Sequence, residues 1–397
     1  MKKVLFVLSY MNIGGVEKSL LSLLATFPKD KYDVTILLLN KKGGFLEYLP
    51  SWVKVEEADW FKYVNNIIMQ PPQITVKNYI KENRFFTATR FIKDYFFSKY
   101  MENRYIYYKN VLKDIPECKE EYDIAVSYAG PTEIIDAYVV KKVKAKKKVA
   151  WVHFDVSKHF INKKLYENLY KDYDKIFVVS NEAKQQLLNK ISGIERKTEV
   201  FLNIISENLI KEMAEAEQEV KYDSSFINIV TVGRLSKEKG QDLAIETLNL
   251  LKKDGYKVRW YCVGDGNSRK EYENLIKKYE LEEDFILLGA KPNPYPYIKN
   301  ADIYVQTSRH EGYCLTLAEA KCLNKPIITT NFIGAYEQIK NESNGFIVNA
   351  DVNNIFDKVK ELIFNKQLRD YLTKNLSKQN IDTISESNKL LNLINKE

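Results

Sequence analysis

Apolar residues in this chain fall into short continuous runs, separated by segments in which they recur every third or fourth position. Lys3–Ser9, Asp33–Leu39, Asp123–Tyr128, Lys148–His153 and Lys175–Ser180 read as strands. Val16–Phe27 and Glu182–Asn189 read as helices, with Asn181 at the N-cap of the latter. Unbroken apolar runs mark parallel strands buried on both faces, so the opening half predicts one doubly wound α/β sheet. Around Asn203–Asp223 the pattern gives way to an acidic stretch, Glu212-Met-Ala-Glu-Ala-Glu-Gln-Glu219, which reads as an inter-domain connection. From Phe226 the alternation resumes, with strands near 227–232, 258–263, 285–288, 302–306, 326–330 and 345–348. Two such halves in tandem predict two Rossmann-like domains facing a cleft, residues 1–205 and 206–373, followed by a polar helical segment, 374–397.

At 397 residues, each half is long enough to bury its own core. No apolar run approaches the roughly 18 residues of a spanning helix. Met1-Lys-Lys-Val-Leu-Phe-Val-Leu-Ser mimics a signal peptide, but the run is short and no small-residue cleavage site follows, so it reads as the first buried strand. Cys118, Cys262, Cys314 and Cys322 lack metal-ligand spacing and sit in apolar surroundings, as buried free thiols of a reducing compartment do. With three histidines in all (His153, His159, His310), a multi-histidine metal site is not expected.

The net charge of +8 is unevenly spread. Residues 61–113 hold ten Lys or Arg against Glu82, Asp94 and Glu102, a local charge of +7, and Lys141–Lys148 is a second basic run. Residues 60–113 also carry thirteen Phe or Tyr plus Trp60. Segments such as Arg90-Phe-Ile-Lys-Asp-Tyr-Phe-Phe-Ser-Lys99 read as basic amphipathic helices that can lie on an anionic membrane surface. An insertion packed on the first domain explains the same composition equally well, and nucleic acid is not expected as a partner.

Two blocks carry chemistry. Gly233-Arg234-Leu-Ser-Lys237-Glu-Lys239-Gly240 follows a strand and precedes a helix, where cations and helix-start amides can hold a diphosphate. Glu311-Gly-Tyr-Cys-Leu-Thr-Leu-Ala-Glu319 follows another strand, at the sheet edge where α/β proteins bind ligands. Its two carboxylates can accept hydrogen bonds from vicinal hydroxyls. Asn12-Ile-Gly14-Gly15-Val-Glu17 opens the first helix without the GxGxxG of dinucleotide enzymes, which argues against an oxidoreductase. Asp172-Tyr-Asp174 has the form of a metal-binding Asp-x-Asp, but it precedes a strand and is rejected as a site.

Together these blocks resemble the retaining glycosyltransferases of family 4, which have the GT-B fold. The resemblance implies that Arg234 and Lys239, matching an Arg-x4-Lys pattern, grip the donor pyrophosphate, with Lys237 between them exposed. It places Glu319 on the ribose hydroxyls and Glu311 on hydroxyls of the transferred sugar. The amides of Cys314, Leu315 and Thr316 would face the diphosphate, although the position of Cys314 is usually glycine in that family. Gly14 and Gly15 would lie near donor phosphate and acceptor, His153 beside the donor sugar as a hydrogen-bonding group, and Ala290–Lys291 near the base. A last helix crossing back onto the first domain is also implied.

The expected activity is metal-independent transfer, without a cofactor, from a nucleoside-diphosphate sugar (a UDP-sugar) to a polysaccharide, glycolipid or related acceptor with retention of configuration. The rival readings are a nucleotide-sugar epimerase or hydrolase of the same fold, and a non-catalytic partner subunit of a transferase. The Lys-, Asn- and Ile-rich composition suits a low-GC bacterium and a surface polysaccharide or glycolipid product. The expected location is cytoplasmic, with a peripheral position on the inner face of the cell membrane if residues 60–113 contact lipid.

Overall fold

The computed structural model of the protein describes residues 1–154, 156, 161–217, 221–379 and 381–396. His159 and the end of the acidic stretch, Gln218–Val220, lie outside the described residues.

The chain is α/β and folds as two compact units. In the first, β1 (Lys2–Leu8), β2 (Tyr32–Leu38), β3 (Lys54–Glu57), β4 (Glu121–Gly130), β5 (Lys144–Val152), β6 (Lys175–Val178) and β7 (Thr198–Val200) form one parallel sheet in the order β3-β2-β1-β4-β5-β6-β7. In the second, β8 (Ile227–Val232), β9 (Val258–Val263), β10 (Phe285–Gly289), β11 (Ile303–Gln306), β12 (Ile327–Thr330) and β13 (Phe346–Val348) form another, ordered β10-β9-β8-β11-β12-β13. Both sheets reverse winding direction beside their first strand, between β1 and β4 and between β8 and β11. Loops leaving the C-terminal ends of those strand pairs diverge, and ligands of open α/β sheets bind in the crevice they leave.

Burial on both faces explains the continuous apolar runs. Along β8, Val230 and Val232 enter one core layer while Ile229 enters the layer on the other face. β3 and β7 escape a search for such runs. β3 is a polar edge strand, Lys-Val-Glu-Glu, and β7 is only three residues long. The N-cap expected at Asn181 is instead Ser180, whose hydroxyl accepts from Ala183 N at 3.0 Å, and Asn181 begins the helix.

The first unit comprises Met1–Asn12, Val16–Leu202 and a C-terminal segment beginning at Glu386. Ile13–Gly15 and Asn203–Ser385 form the second. The acidic stretch is therefore not a free connection. Its first residues end a helix, Glu207–Met213, and Ile210 and Ala214 are buried in the second unit's core. The segment 374–397 is likewise not one element. The helix Lys366–Leu376 buries Leu372 and Leu376 in the second unit, and the last helix, Ser387–Asn395, packs with the first. There Leu390 and Ile394 are buried, Lys389 Nζ donates to Val200 O (2.8 Å), and Glu386 Oε2 accepts from Leu202 N (2.8 Å).

The basic run 141–148 turns out to be structural. It ends one helix and opens β5, and its lysines are engaged within the fold: Lys141 with Asp172 (3.0 Å), Lys144 with Glu117 (3.1 Å), Lys146 with Asp123 (2.9 Å), Lys148 with Val140 O (2.7 Å). Residues 60–113 fold into four helices, Phe61–Met69, Pro72–Lys81, Phe85–Tyr100 and Arg104–Val111, within the first unit.

Candidate functional site

β8 and β11 lie side by side, so the loops leaving their C-terminal ends meet. The first runs through Gly233–Ser236 into a tight turn, Lys237–Lys239, and Gly240 then starts the helix Gln241–Lys253. Gly240 is in the left-handed region (φ 67°), and a Cβ there would stand 2.2 Å from Thr307 O of the neighbouring loop. Only glycine permits this approach. The two loops are cross-tied as a result. Thr307 Oγ1 donates to Lys239 O (3.0 Å), Arg309 N to Glu238 O (2.7 Å), and Arg309 Nη1 to Lys237 O (2.8 Å). The Arg309 guanidinium also forms a two-point pair with Asp242 (2.8 and 2.6 Å), fixing the loop to the helix behind it.

Lys239 Nζ meets Glu311 Oε1 at 2.5 Å, with both side chains largely withdrawn from solvent. Burial pulls the Lys239 ammonium down, but the Glu311 carboxylate and its hydrogen bond outweigh this and hold it above the usual lysine value. Behind Glu311 stands a chain of polar side chains. Ser308 Oγ donates to Glu311 Oε1 (2.9 Å), Gln306 Nε2 to Ser308 Oγ (2.7 Å), and Tyr304 OH to Gln306 Oε1 (2.6 Å). Thr316 Oγ1 donates to the same Gln306 oxygen at 3.3 Å. Arg234, by contrast, is exposed, and its guanidinium makes no ion pair among the described residues. Lys237 is exposed and only loosely placed against Glu271 (3.9 Å). The crest thus offers one uncommitted cation, one cation held by a carboxylate, and the amides at the start of the helix Leu315–Cys322.

Cys314 caps that helix in the left-handed region, φ 61° and ψ 80°. This is the conformation glycine adopts without strain, which explains why glycine suits the position. Glu319, one turn further in, is buried at 2% exposure, and Tyr295 OH donates to its Oε1 at 3.2 Å. Ala290 and Lys291 follow β10 at the same sheet edge, Ala290 exposed and Lys291 half-buried. Gln306, Ser308, Arg309, Asp242 and Tyr295 were not singled out from sequence. A glutamine closing the apolar strand Ile303–Gln306 was the available signal.

The corresponding edge of the first unit differs. Gly14 and Gly15, at the start of the first helix, group with the second unit, and neither has positive φ, so left-handed geometry does not require glycine at either place. The left-handed glycine of this edge is Gly43, where a Cβ would strike the Met11 backbone at 2.1 Å. His153 follows β5, its N donating to Gly130 O (2.9 Å) and its ring stacked on Trp151 at 5.9 Å and 8°. Tyr128 lies 4.6 Å from the same ring, with its hydroxyl 2.9 Å from Ser19 Oγ. Burial alone lowers the His153 pKa to about 3, and its buried Nε2 has no hydrogen-bond partner among the described residues. Asp172 and Asp174 are otherwise engaged, Asp172 with Lys141 and Asp174 Oδ2 with Lys148 N (2.7 Å).

Two parallel doubly wound sheets with these crests make the fold that of the GT-B glycosyltransferases. Residues 212–379 match the family model described as glycosyl transferases group 1. The chain is 30% identical over 212 residues to the Campylobacter jejuni N-acetylgalactosamine-N,N'-diacetylbacillosaminyl-diphospho-undecaprenol 4-alpha-N-acetylgalactosaminyltransferase, covering 53% of this chain and 56% of that one. It is 29% identical over 218 residues to the Staphylococcus aureus capsular polysaccharide biosynthesis glycosyltransferase CapM, covering 50% and 55%. The chain therefore spans about half the length of the curated relatives it matches. Among solved structures, Anabaena HepE in complex with UDP and glucose superposes with a TM-score of 0.71, at 17% identity and over the full length of both chains.

Proposed function

We propose that this protein is a retaining, metal-independent glycosyltransferase that takes its sugar from a nucleoside diphosphate, UDP being the expected carrier, and delivers it to a glycan or lipid-linked acceptor. The observation that carries this reading is the Lys239–Glu311 contact at the β8/β11 crest, with Arg234 uncommitted beside it in sequence. A donor diphosphate arriving there meets the Arg234 guanidinium and helix-start amides, and it competes with Glu311 for Lys239. The Glu311 carboxylate is then available to sugar hydroxyls, and Glu319 to those of the ribose. Charge that grows on the departing diphosphate is stabilised by groups already in place, which lowers the barrier rather than merely tightening binding.

Two protein cations at the diphosphate supply the positive charge that a divalent metal would otherwise bring. Asp172 and Asp174, the one Asp-x-Asp, are committed to Lys141 and to the β5 backbone. Retention rests on the family resemblance, with same-face attack and the leaving phosphate helping to deprotonate the acceptor hydroxyl. The His153 imidazole, neutral at pH 7, is suited to hydrogen-bonding a sugar hydroxyl. The acceptor class draws support from relatives named for diphospho-undecaprenol-linked and capsular products. The working place we infer is the cytoplasmic face of an anionic membrane, met through residues 60–113.

A thermal-shift screen of nucleotide-sugars followed by product analysis tests the reading. One donor should raise the melting temperature selectively and, in EDTA with acceptor, yield an α-configured product from an α-configured donor. Free sugar or an epimer formed without acceptor would replace it with the hydrolase or epimerase reading.

A further inference from the structure

The aromatics of residues 60–113 divide into two populations. Trp60 stacks on Tyr138 (4.4 Å), and Phe91 packs against Tyr79 (5.9 Å), Tyr95 (6.2 Å) and Tyr107 (6.1 Å), so these belong to the interior. Others face outward, and they concentrate on the helix Phe85–Tyr100. Its inner side is Ala88, Phe91 and Ser98, all buried. Its outer side carries Phe85, Phe86 (79% exposed), Ile92, Phe96 (63%), Phe97 and Tyr100 (85%). At 100° per residue these six, with Thr89, Lys93 and Lys99, fall within an arc of about 160°. A helix that packs one face on a core ordinarily shows water a polar face. This one shows water an aromatic face.

The charges around it are equally one-sided. Arg84 and Arg90 are spent on Asp114 (3.8 and 2.9 Å), and Arg104 on Glu133 (2.9 Å). Lys77, Lys81, Lys93 and Lys99 are exposed and make no ion pair among the described residues. Lys77 and Lys81 lie on the preceding helix, whose Ile74 and Ile80 are also exposed. A protein partner or a second copy of this chain would have to bury these ammonium groups beside apolar rings, whereas a lipid surface takes rings and ammonium groups at different depths.

From this we infer that the outer face of the helix Phe85–Tyr100 is the membrane-seating surface. Phe86, Phe96, Phe97 and Tyr100 enter the headgroup–acyl boundary of an anionic bilayer, and Lys93 and Lys99 reach lipid phosphates. The inference rests on the membrane location proposed above and assigns it to one helix face.

The test is co-sedimentation of the full chain with phosphatidylcholine vesicles containing about one-third phosphatidylglycerol, at low and high salt. Wild type should bind at low salt and dissociate as salt rises. Phe86→Ser/Phe96→Ser/Phe97→Ser should lower partitioning about 10-fold or more, as should Lys93→Glu/Lys99→Glu. These side chains are already exposed, so melting temperatures should hold. Phe364→Ser/Tyr371→Ser, removing exposed aromatics of the second unit, should bind like wild type. If wild type ignores these vesicles, the membrane location itself falls. If wild type binds but the triple Phe variant binds equally well, the location stands and the helix assignment falls. A chain that dimerises in solution through this face, and becomes monomeric in the triple variant without ever binding vesicles, would make a second copy the occupant and overturn the inference.

Discussion

The winding-reversal edges of the two sheets are built alike in backbone and unlike in chemistry. In the second unit the edge is ionic. Lys239 and Glu311 pair at 2.5 Å, Arg309 ties the turn Lys237–Lys239 to Asp242, and a hydroxyl–amide chain runs from Tyr304 to Glu311. In the first unit the edge around His153 is aromatic, with Tyr128 and Trp151 against the imidazole and its pKa depressed by burial. Breaking a half-buried ion pair leaves a charge without a counter-charge, while changing the aromatic edge alters packing and protonation. The same architecture therefore presents paired charges at one edge and stacked rings at the other.

The largest expected effect breaks the ionic edge. Lys239→Ala should cut turnover by on the order of 100-fold or more, and Arg234→Ala by a similar factor, since each removes a charged contact to the leaving diphosphate. Steady-state kinetics on variants with wild-type circular dichroism would check this, and near-normal rates in Lys239→Ala would remove the lysine from the site. Removing the titratable group of the aromatic edge probes a different property. The unfolded His153 titrates near its ordinary value of 6.5 and the folded one near 3, so protons favour the unfolded chain. Its contribution is full above pH 6.5 and declines as pH falls toward 3. His153→Gln should remove roughly 2–3 kcal/mol of the stability loss between pH 6.5 and 4. Asp136 in the same unit acts oppositely. Burial raises its pKa from 3.8 to about 6, against the bonds from Ser127, Tyr166, Thr132 N and Tyr173, so its stabilising effect appears as pH falls through 6. Urea melts of wild type and His153→Gln at both pH values would separate the two, and identical pH dependence would show that His153 is accessible and ordinary.

Smaller effects sharpen the ionic edge. Glu319→Gln should weaken binding of a nucleoside diphosphate by about 1–3 kcal/mol, whereas Glu311→Gln should spare that binding and harm transfer. Calorimetry giving the reverse order would exchange their roles. Smallest is Cys314, held at φ 61°. Cys314→Gly should raise stability by no more than about 1 kcal/mol, and Cys314→Val should lower it by about 1–3 kcal/mol, because a β-branched side chain resists the left-handed region. Equal melting temperatures for all three would mean the backbone relaxes there.

Much of this was legible in the chain because parallel strands buried on both faces announce themselves as apolar runs. Of the thirteen strands among the described residues, only β3 and β7 lack such a run, one polar and at an edge, the other three residues long. Arg234, Lys239, Glu311, Cys314 and Glu319 stood out because a known pattern fixes their spacing. What fixes Lys239 and Glu311 in place was not legible. Gln306 and Ser308 brace Glu311 within one loop, and Glu311 meets Lys239 only because β11 lies beside β8, a pairing the sequence does not display. The basic run 141–148 looked like a patch but is the start of β5, its lysines matched by Glu117, Asp123 and Asp172 from distant segments. Nor does composition divide the aromatics of residues 60–113 into packed and outward-facing sets. That division follows from which side of the helix Phe85–Tyr100 meets Tyr79 and Tyr107.

The central claim is that the β8/β11 edge holds the donor diphosphate with protein cations. Calorimetric titration of UDP into wild type and Lys239→Ala, both in excess EDTA, tests it most directly. Wild type should bind without metal, and the variant should lose about 10-fold or more in affinity, on the scale of one charge-assisted contact. Equal affinities, or binding that appears only when a divalent metal is restored, would contradict it.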